Sequence, residues 1–432
     1  MRHGTERERE GGGAMTGIYA ALHLLVDGMC ALAMFGRLLP RGDRALAILL
    51  YNFCAFALQM PLGVALDALC GGRRGRETDF PFLFALAGVL CTVGGAFLHP
   101  AVLGIGNALF HVGGGVGTIR EDDREGWQGR GLGVFVAPGA LGLYLGGFLG
   151  RGGFWQAGAF GTGALMALLC ACSTYRLKRN GKKKENSSGQ IGESRGLAEG
   201  TETGKQSACN IAIAAVCCMF VVILRSYVGM AVAFPWKSGF PAGLLAVLMV
   251  VGGKVAGGFA AARYGLRRTT AISLGLAGIC YLCSDAMAPG LAALFLFNMT
   301  MPITLYWMER SMPQMPGFAF GFLTFALFLG FLPGYFGAAA GSRLLGFGGS
   351  ILSMVLLLAG WGWRGKNEGL SGENVRDFSG ADHCGGDAGG IYPAAWHEVS
   401  GEEGEDGIGF RQPGERRRND RDREASRADS GQ

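Results

Sequence analysis

The sequence predicts an all-helical integral membrane protein of twelve transmembrane helices in two pseudo-symmetric six-helix bundles, and three observations carry that prediction. Half of the 432 residues are hydrophobic and 17% are charged, and the charges crowd into a few segments instead of lining amphipathic faces. Mean hydropathy is positive. Apolar runs recur at about 20 residues, the length that crosses a bilayer. Glycine, at 77 residues, occurs within nearly every apolar run; it would weaken an exposed soluble helix, but in lipid it lets helices approach closely.

In the first half the predicted spans cover roughly 17–39, 45–67, 80–99, 101–119, 131–150 and 154–176. The first is long enough to cross and lacks a small-residue cleavage site, so it reads as a helix that stays in the chain. The second half repeats the pattern at roughly 209–234, 240–262, 269–287, 289–308, 317–340 and 346–363. Segment 1–16 is polar and reads as a disordered tail, giving bundles over 17–176 and 209–363. Between them lies a linker, 177–208, first basic and then rich in Gly, Ser and Glu. Segment 364–432 is polar and Gly-rich, too poor in apolar surface to offset the entropy of ordering, and is expected to be a disordered tail.

An even number of spans puts both ends on one side. Arg73, Arg74 and Arg76, then Arg120, Arg124 and Arg130, then Arg176 to Lys184, then Arg263, Arg267 and Arg268 fall in alternate loops, which the positive-inside rule makes cytoplasmic. Arg37, Arg41 and Arg44 run against the trend. The expected location is the plasma membrane, multi-pass, with both termini cytoplasmic. The formal charge of +6 is not a nucleic-acid footprint, because the basic residues lie beside spans and in the tails without interleaved aromatics.

Most of the twelve cysteines, among them Cys30, Cys54, Cys91, Cys170, Cys172, Cys217, Cys218 and Cys280, fall in apolar runs and read as small apolar residues. Cys280 and Cys283 have C-x-x-C spacing without a βαβ context, so no disulfide and no metal is assigned. An enzyme is not indicated: no phosphate-binding G-x-x-x-x-G-K-S/T loop occurs, and HVGGG has no accompanying G-x-S-x-G. No cofactor is expected.

Two loops repeat. GVALDALCGGRR follows the second span (Gly63, Asp67, Gly72, Arg73, Arg74), and GGFAAARYGLRR follows the eighth (Gly257, Gly258, Arg263, Gly265, Arg267, Arg268). Both resemble the loop signature of the major facilitator superfamily, roughly G-x-x-x-D-x-x-G-R-R-x, at equivalent places in its two halves. The first copy has two extra residues between Asp67 and GRR, and the second has Ala262 in the acid's place. The resemblance implies that Gly63, Asp67, Arg73, Arg74, Arg263, Arg267 and Arg268 gate the cytoplasmic side by latching the halves together. The fifth span, GLGVFVAPGALGLYLGG, resembles the Gly-Pro signature of proton-driven exporters in that superfamily, which adds Pro138 and Gly139 to the gating set. The first-helix His and acid, with NALFHVGGGVG on the fourth, resemble fosmidomycin-resistance-type exporters.

In that superfamily helices 1, 4, 7 and 10 line a central cavity. The intramembrane polar residues here sort onto them: His23 and Asp27, Asn107 and His111, Arg225, and Asn298. Ionisable groups at membrane depth are costly and mark functional sites. Each of the first two pairs is spaced i, i+4 on one helical face. Asp27 is the candidate proton carrier, with His23 and His111, whose ordinary range spans neutral pH, as relays or substrate ligands. Arg225 is the candidate anion site and partner of Asp27, with Asn107 and Asn298 as further substrate contacts; a static Asp27–Arg225 bridge is the alternative. Asn52 and Gln59 read as interhelical hydrogen-bonding residues, Lys254 as a snorkelling residue outside the site, and Tyr306, Trp307, Trp361 and Trp363 as interface anchors.

The expected function is secondary active transport, a proton-coupled export of a small amphipathic or anionic compound. A proton-coupled importer of an organic anion uses the same residues, and a non-transporting membrane protein on the same fold is a third reading. Expected partners are a small-molecule substrate, protons and the lipid bilayer, with no nucleic acid, and the protein is expected to be monomeric.

Overall fold

A computed structural model describes the backbone of residues 2–71, 79–185, 204–338 and 341–369, and side chains over 13–71, 79–177, 208–338 and 341–363. All of these belong to one compact unit, Met1–Ala395. In the first half the apolar helices are α1 (Gly13–Arg41), α2 (Arg44–Cys70), α3 (Phe80–Leu98), α4 (Pro100–Glu125), α5 (Arg130–Arg151) and α6 (Trp155–Leu177). In the second they are α7 (Ala208–Ala231), α8 (Gly239–Tyr264), α9 (Leu266–Leu282), α10 (Met287–Ser311), α11 (Pro316–Tyr335) and α12 (Arg343–Trp363). Eleven are long and apolar enough to cross a membrane. The exception is α9, the expected ninth span, which has 17 residues. It still presents Ile272, Leu276 and Ile279 outward at helical spacing while Leu274, Ala277 and Tyr281 are buried, the pattern of a lipid-facing helix.

Packing exposes a repeat that the sequence only hints at. Helix α1 packs on α4, α5 and α6, and α7 packs on α10, α11 and α12. The α3–α4 contact recurs as α9–α10, and α2–α4 as α8–α10. The largest contacts that join the halves, α2–α11 and α5–α8, convert into each other under the same shift of six helices. Small residues allow these crossings. On the α1–α5 seam, a Cβ on Gly142 would strike Leu24 Oand one on Gly146 would strike Gly28 O.

Several expectations need correcting. The α1 backbone is helical from Arg2, so the polar residues before the span continue the helix instead of forming an unstructured tail. The α6 helix runs on to Glu185 and α7 begins at Gly204, which narrows the linker; residues 186–203 lie outside the described residues. Helix α12 extends to Gly369, and the rest of the expected tail lies outside them as well. Tyr306, Trp307 and Trp361 are buried, with the two indoles packed at 5.1 Å, so of the expected interface anchors only Trp363 is exposed. Asn52 and Gln59 bond their own helix, to Ile48 O and Ala55 O, flanking a π-helical turn over Phe53–Ala57.

Candidate functional site

Pro138 interrupts α5. It lacks the N–H that would bond Val134 O, so the helix stops at Val136 and resumes at Gly139. Phe135 and Val136 fall in the last turn before the break, where carbonyls lack helical donors. His23 Nδ1 donates to Phe135 O at 2.7 Å, and Lys254 Nζ of α8 donates to Val136 O at 2.9 Å. Gly139 lies directly against the first helix: a Cβ there would overlap both the Asp27 carboxylate and the His23 ring.

Around this break α1 and α4 assemble a network from which solvent is excluded. Asp27 is 1% exposed and His111 is 4% exposed. Asp27 Oδ2 stands 3.0 Å from His23 Nε2, and Asp27 Oδ1 accepts from Asn107 Nδ2 at 2.9 Å and lies 3.7 Å from His111 Nε2. His111 Nδ1 donates to Asn107 O at 2.8 Å, and the two Nε2 atoms face each other at 2.9 Å. The rings of Phe110 and Phe135 pack on His23.

The tautomers follow from chemistry. A carbonyl oxygen only accepts, so both histidines carry hydrogen on Nδ1. When neutral, each then presents a bare lone pair at Nε2, and two such lone pairs would oppose each other at 2.9 Å beside a carboxylate. A hydrogen on one of the facing groups, the Asp27 carboxyl included, or a cation between them relieves that opposition. A proton shared by the histidines and Asp27 is the smallest that fits.

The structure thus joins His23, Asp27, Asn107 and His111; the i, i+4 spacings account for each pair. Arg225 is buried on α7, next to Ser226, whose hydroxyl donates to Leu327 O of α11. Asn298 donates to Leu294 O in its own helix, at the point where α10 is interrupted before Thr300. Sequence reasoning missed Lys254. It is 2% exposed, it bridges the halves, and it is close enough to His111 for their charges to interact. A snorkelling lysine would keep its ammonium in water, whereas Val136 O holds this one inside. The available signal was a lysine among the glycines of GGKVAGG, facing a Pro-broken helix.

At the end where α2, α4 and α10 stop, Asp67 caps α11 across the halves. Its Oδ1 accepts from Gly317 N at 2.9 Å and its Oδ2 from Phe318 N at 2.7 Å. Gly63 permits this, because a Cβ there would collide with Gly317 O. The repeat-related N-terminus, that of α5, takes a carboxylate from its own half: Asp122 accepts from Gly129 N at 2.5 Å and Gly131 N at 2.8 Å. Ala262 leaves no acid on α8 to do so. Arg263 lies over Tyr264, Arg267 donates to Trp361 O at 2.8 Å, and Arg268 is exposed. Arg73 and Arg74 lie outside the described residues. Arg310 and Asp123 add a 3.4 Å ion pair across the halves. Near the opposite ends of the helices, Tyr144 donates to Phe240 O and Tyr335 to Ala45 O.

No family model matches the chain, and no curated protein matches it. Among solved structures, it is similar to the E. coli fucose:proton symporter, with 12% identity over 81% of this chain and 98% of that one and a TM-score of 0.50. It also aligns with a POT family transporter (11% identity, 84% and 99% of the two chains, TM-score 0.47). A bacterial homologue of the iron transporter ferroportin gives 12% identity, 82% and 99% coverage and a TM-score of 0.45. The last two are too distant to bear on the fold. The chain has the major facilitator fold, with its two six-helix halves.

Proposed function

We propose that the protein is a secondary active transporter that works by alternating access, exporting a small amphipathic or anionic compound in exchange for protons. One observation carries this reading: the His23–Asp27–His111 network is built on α1 and α4 but is positioned by the break in α5, where Lys254 of the other half also binds. Rocking one half against the other would break the Lys254–Val136 bond and shift the carbonyl beside it that holds His23. Occupancy of the network and the arrangement of the halves are then linked, as an exchanger requires. Asp27 is the proton carrier, with His23 and His111 sharing its proton.

In this reading Arg225 receives the anionic part of the substrate, or Asp27 when no substrate is bound. Asn107 positions Asp27, and Asn298 lines the path. Asp67, Gly63 and the basic loop residues Arg73, Arg74, Arg263, Arg267 and Arg268 close the cytoplasmic side, while Pro138 and Gly139 form the pivot. The His23–Asp27 pair and the glycine-rich α4 are the grounds for export of the fosmidomycin-resistance kind. We place the protein in the plasma membrane as a monomer, with both termini in the cytoplasm. Import of an organic anion with protons uses the same residues.

Flux of a substrate panel in proteoliposomes, with and without an imposed pH gradient, tests the proposal. Asp27→Asn should abolish pH-driven flux while expression and folding persist. Undiminished flux in that variant would remove Asp27 from the mechanism, and a pH gradient of either sign that drives no flux of any compound would favour a non-transporting role.

A further inference from the structure

We propose that His23, Asp27 and His111 form a binding site for a divalent first-row transition-metal ion, with the two imidazole Nε2 atoms and the Asp27 carboxylate as its three protein ligands. The site is defined by geometry and does not depend on transport direction or on proton coupling. One ligand atom from each of the three residues falls within a 4.8 Å cluster, and all three residues are buried. Both imidazoles are already in the metal-binding tautomer. Their Nδ1–H groups are fixed on Phe135 O at 2.7 Å and Asn107 O at 2.8 Å, leaving both Nε2 lone pairs aimed into the cluster. Backbone carbonyls serve metal-bound histidines in this way in known sites, setting ring orientation and raising ligand basicity. Asn107 Nδ2 orients the carboxylate from behind at 2.9 Å.

The spacing is short enough for one ion to reach all three ligands. Metal–imidazole bonds are about 2.0–2.1 Å, so a tetrahedral ion separates two such nitrogens by about 3.4 Å and a right-angled pair by about 3.0 Å. The Nε2 atoms here stand 2.9 Å apart, and His23 Nε2 and Asp27 Oδ2 stand 3.0 Å apart. Those two edges match a right angle, while the third, His111 Nε2 to Asp27 Oδ1 at 3.7 Å, is wider; two histidines and one carboxylate with the remaining positions open are the ligand set that suits divalent iron, with cobalt as its spectroscopic probe. Calcium and magnesium, which prefer oxygen ligands, fit poorly. Lys254 is the resident cation nearby, and its charge opposes a second one.

The test uses tag-free, full-length protein in detergent, titrated with Co2+ and followed by isothermal calorimetry and visible absorption. The expected result is one Co2+ per chain, with visible d–d bands that saturate at that ratio. His111→Ala and Asp27→Asn should each weaken binding by at least about tenfold. Lys254→Met should tighten it. His99→Ala, and the combined tail variant His383→Ala, Cys384→Ala, His397→Ala, should leave it unchanged. Monodisperse elution and a cooperative thermal transition without metal check that each variant is folded; should His111→Ala unfold, Asp27→Asn alone decides. Absence of binding by the wild type at millimolar Co2+, or binding that survives Asp27→Asn but is lost in the tail variant, would overturn the proposal. A flux assay that fails while Co2+ binds as described would count against transport and leave the metal site standing.

Discussion

Lys254 Nζ donates to Val136 O at 2.9 Å, next in the chain to Phe135, whose carbonyl holds His23. A charge from one half and a titratable ring from the other therefore hang on adjacent carbonyls of one broken helix. Removing one partner of a buried polar contact leaves the other unsatisfied, here Val136 O, at a cost of about 1–3 kcal/mol. Lys254→Met should accordingly lower the thermal midpoint modestly while cutting flux at least about tenfold, a loss of about 1.4 kcal/mol or more in transition-state terms. Unchanged flux would reduce Lys254 to a packing residue.

Gly139→Ala places one methyl group on the Asp27–His23 contact. Overpacking of this kind costs about 1–3 kcal/mol, and here it falls on the atoms of the network. Flux should drop sharply. Gly153→Ala, at an exposed position with φ of +79° and open space around it, should change stability modestly and flux little. Parallel melting curves and flux assays separate the two, and equal effects would deny Gly139 its special position.

Two contacts across the halves differ in expected weight. Arg310 and Asp123 are 47% and 43% exposed, so their ion pair is screened by solvent and should contribute under about 1 kcal/mol. Asp67 accepts two backbone N–H groups at the start of α11, and Asp67→Ala should cost about 1–2 kcal/mol. Asp67→Asn should recover part of that loss. Thermal midpoints of the three variants give the order directly; a larger effect from Arg310→Ala would contradict it.

Asn107 and Asn298 look alike in the sequence but not in the structure. Asn107 donates to Asp27, whereas Asn298 donates to its own helix at Leu294 O. Asn107→Ala should impair flux at least about tenfold by removing a charge-assisted bond of about 1.5–3 kcal/mol. Asn298→Ala should change it only a few-fold. Comparable losses would restore Asn298 as a principal contact.

Much of the site could be read before any coordinates. His23 with Asp27 and Asn107 with His111 are i, i+4 pairs, and helical periodicity alone puts each pair on one face. Membrane depth makes such residues conspicuous. The meeting of the two pairs was expected only through resemblance to a known fold, since no local spacing connects α1 to α4. Lys254 escaped for a related reason: a lysine about two turns from a helix end can snorkel or stay inside, and the choice depends on whether an acceptor faces it. Val136 O faces it only because Pro138 breaks α5 and α5 packs on α8.

The sequence by itself determined the all-helical membrane class, the positions of the spans and the division into two halves, because apolar run length and charge distribution are local properties that bilayer thickness and the positive-inside rule read directly. It also determined which residues would be costly in lipid. Tertiary structure decided which of them share a site and which groups hold them there. Those relationships depend on freed carbonyls, helix N-termini and glycine crossings between helices remote in the chain, such as Asp67 on Gly317 and His23 on Phe135. Backbone groups carry no residue-specific signal in the sequence, so their role becomes visible only when packing brings a side chain to them.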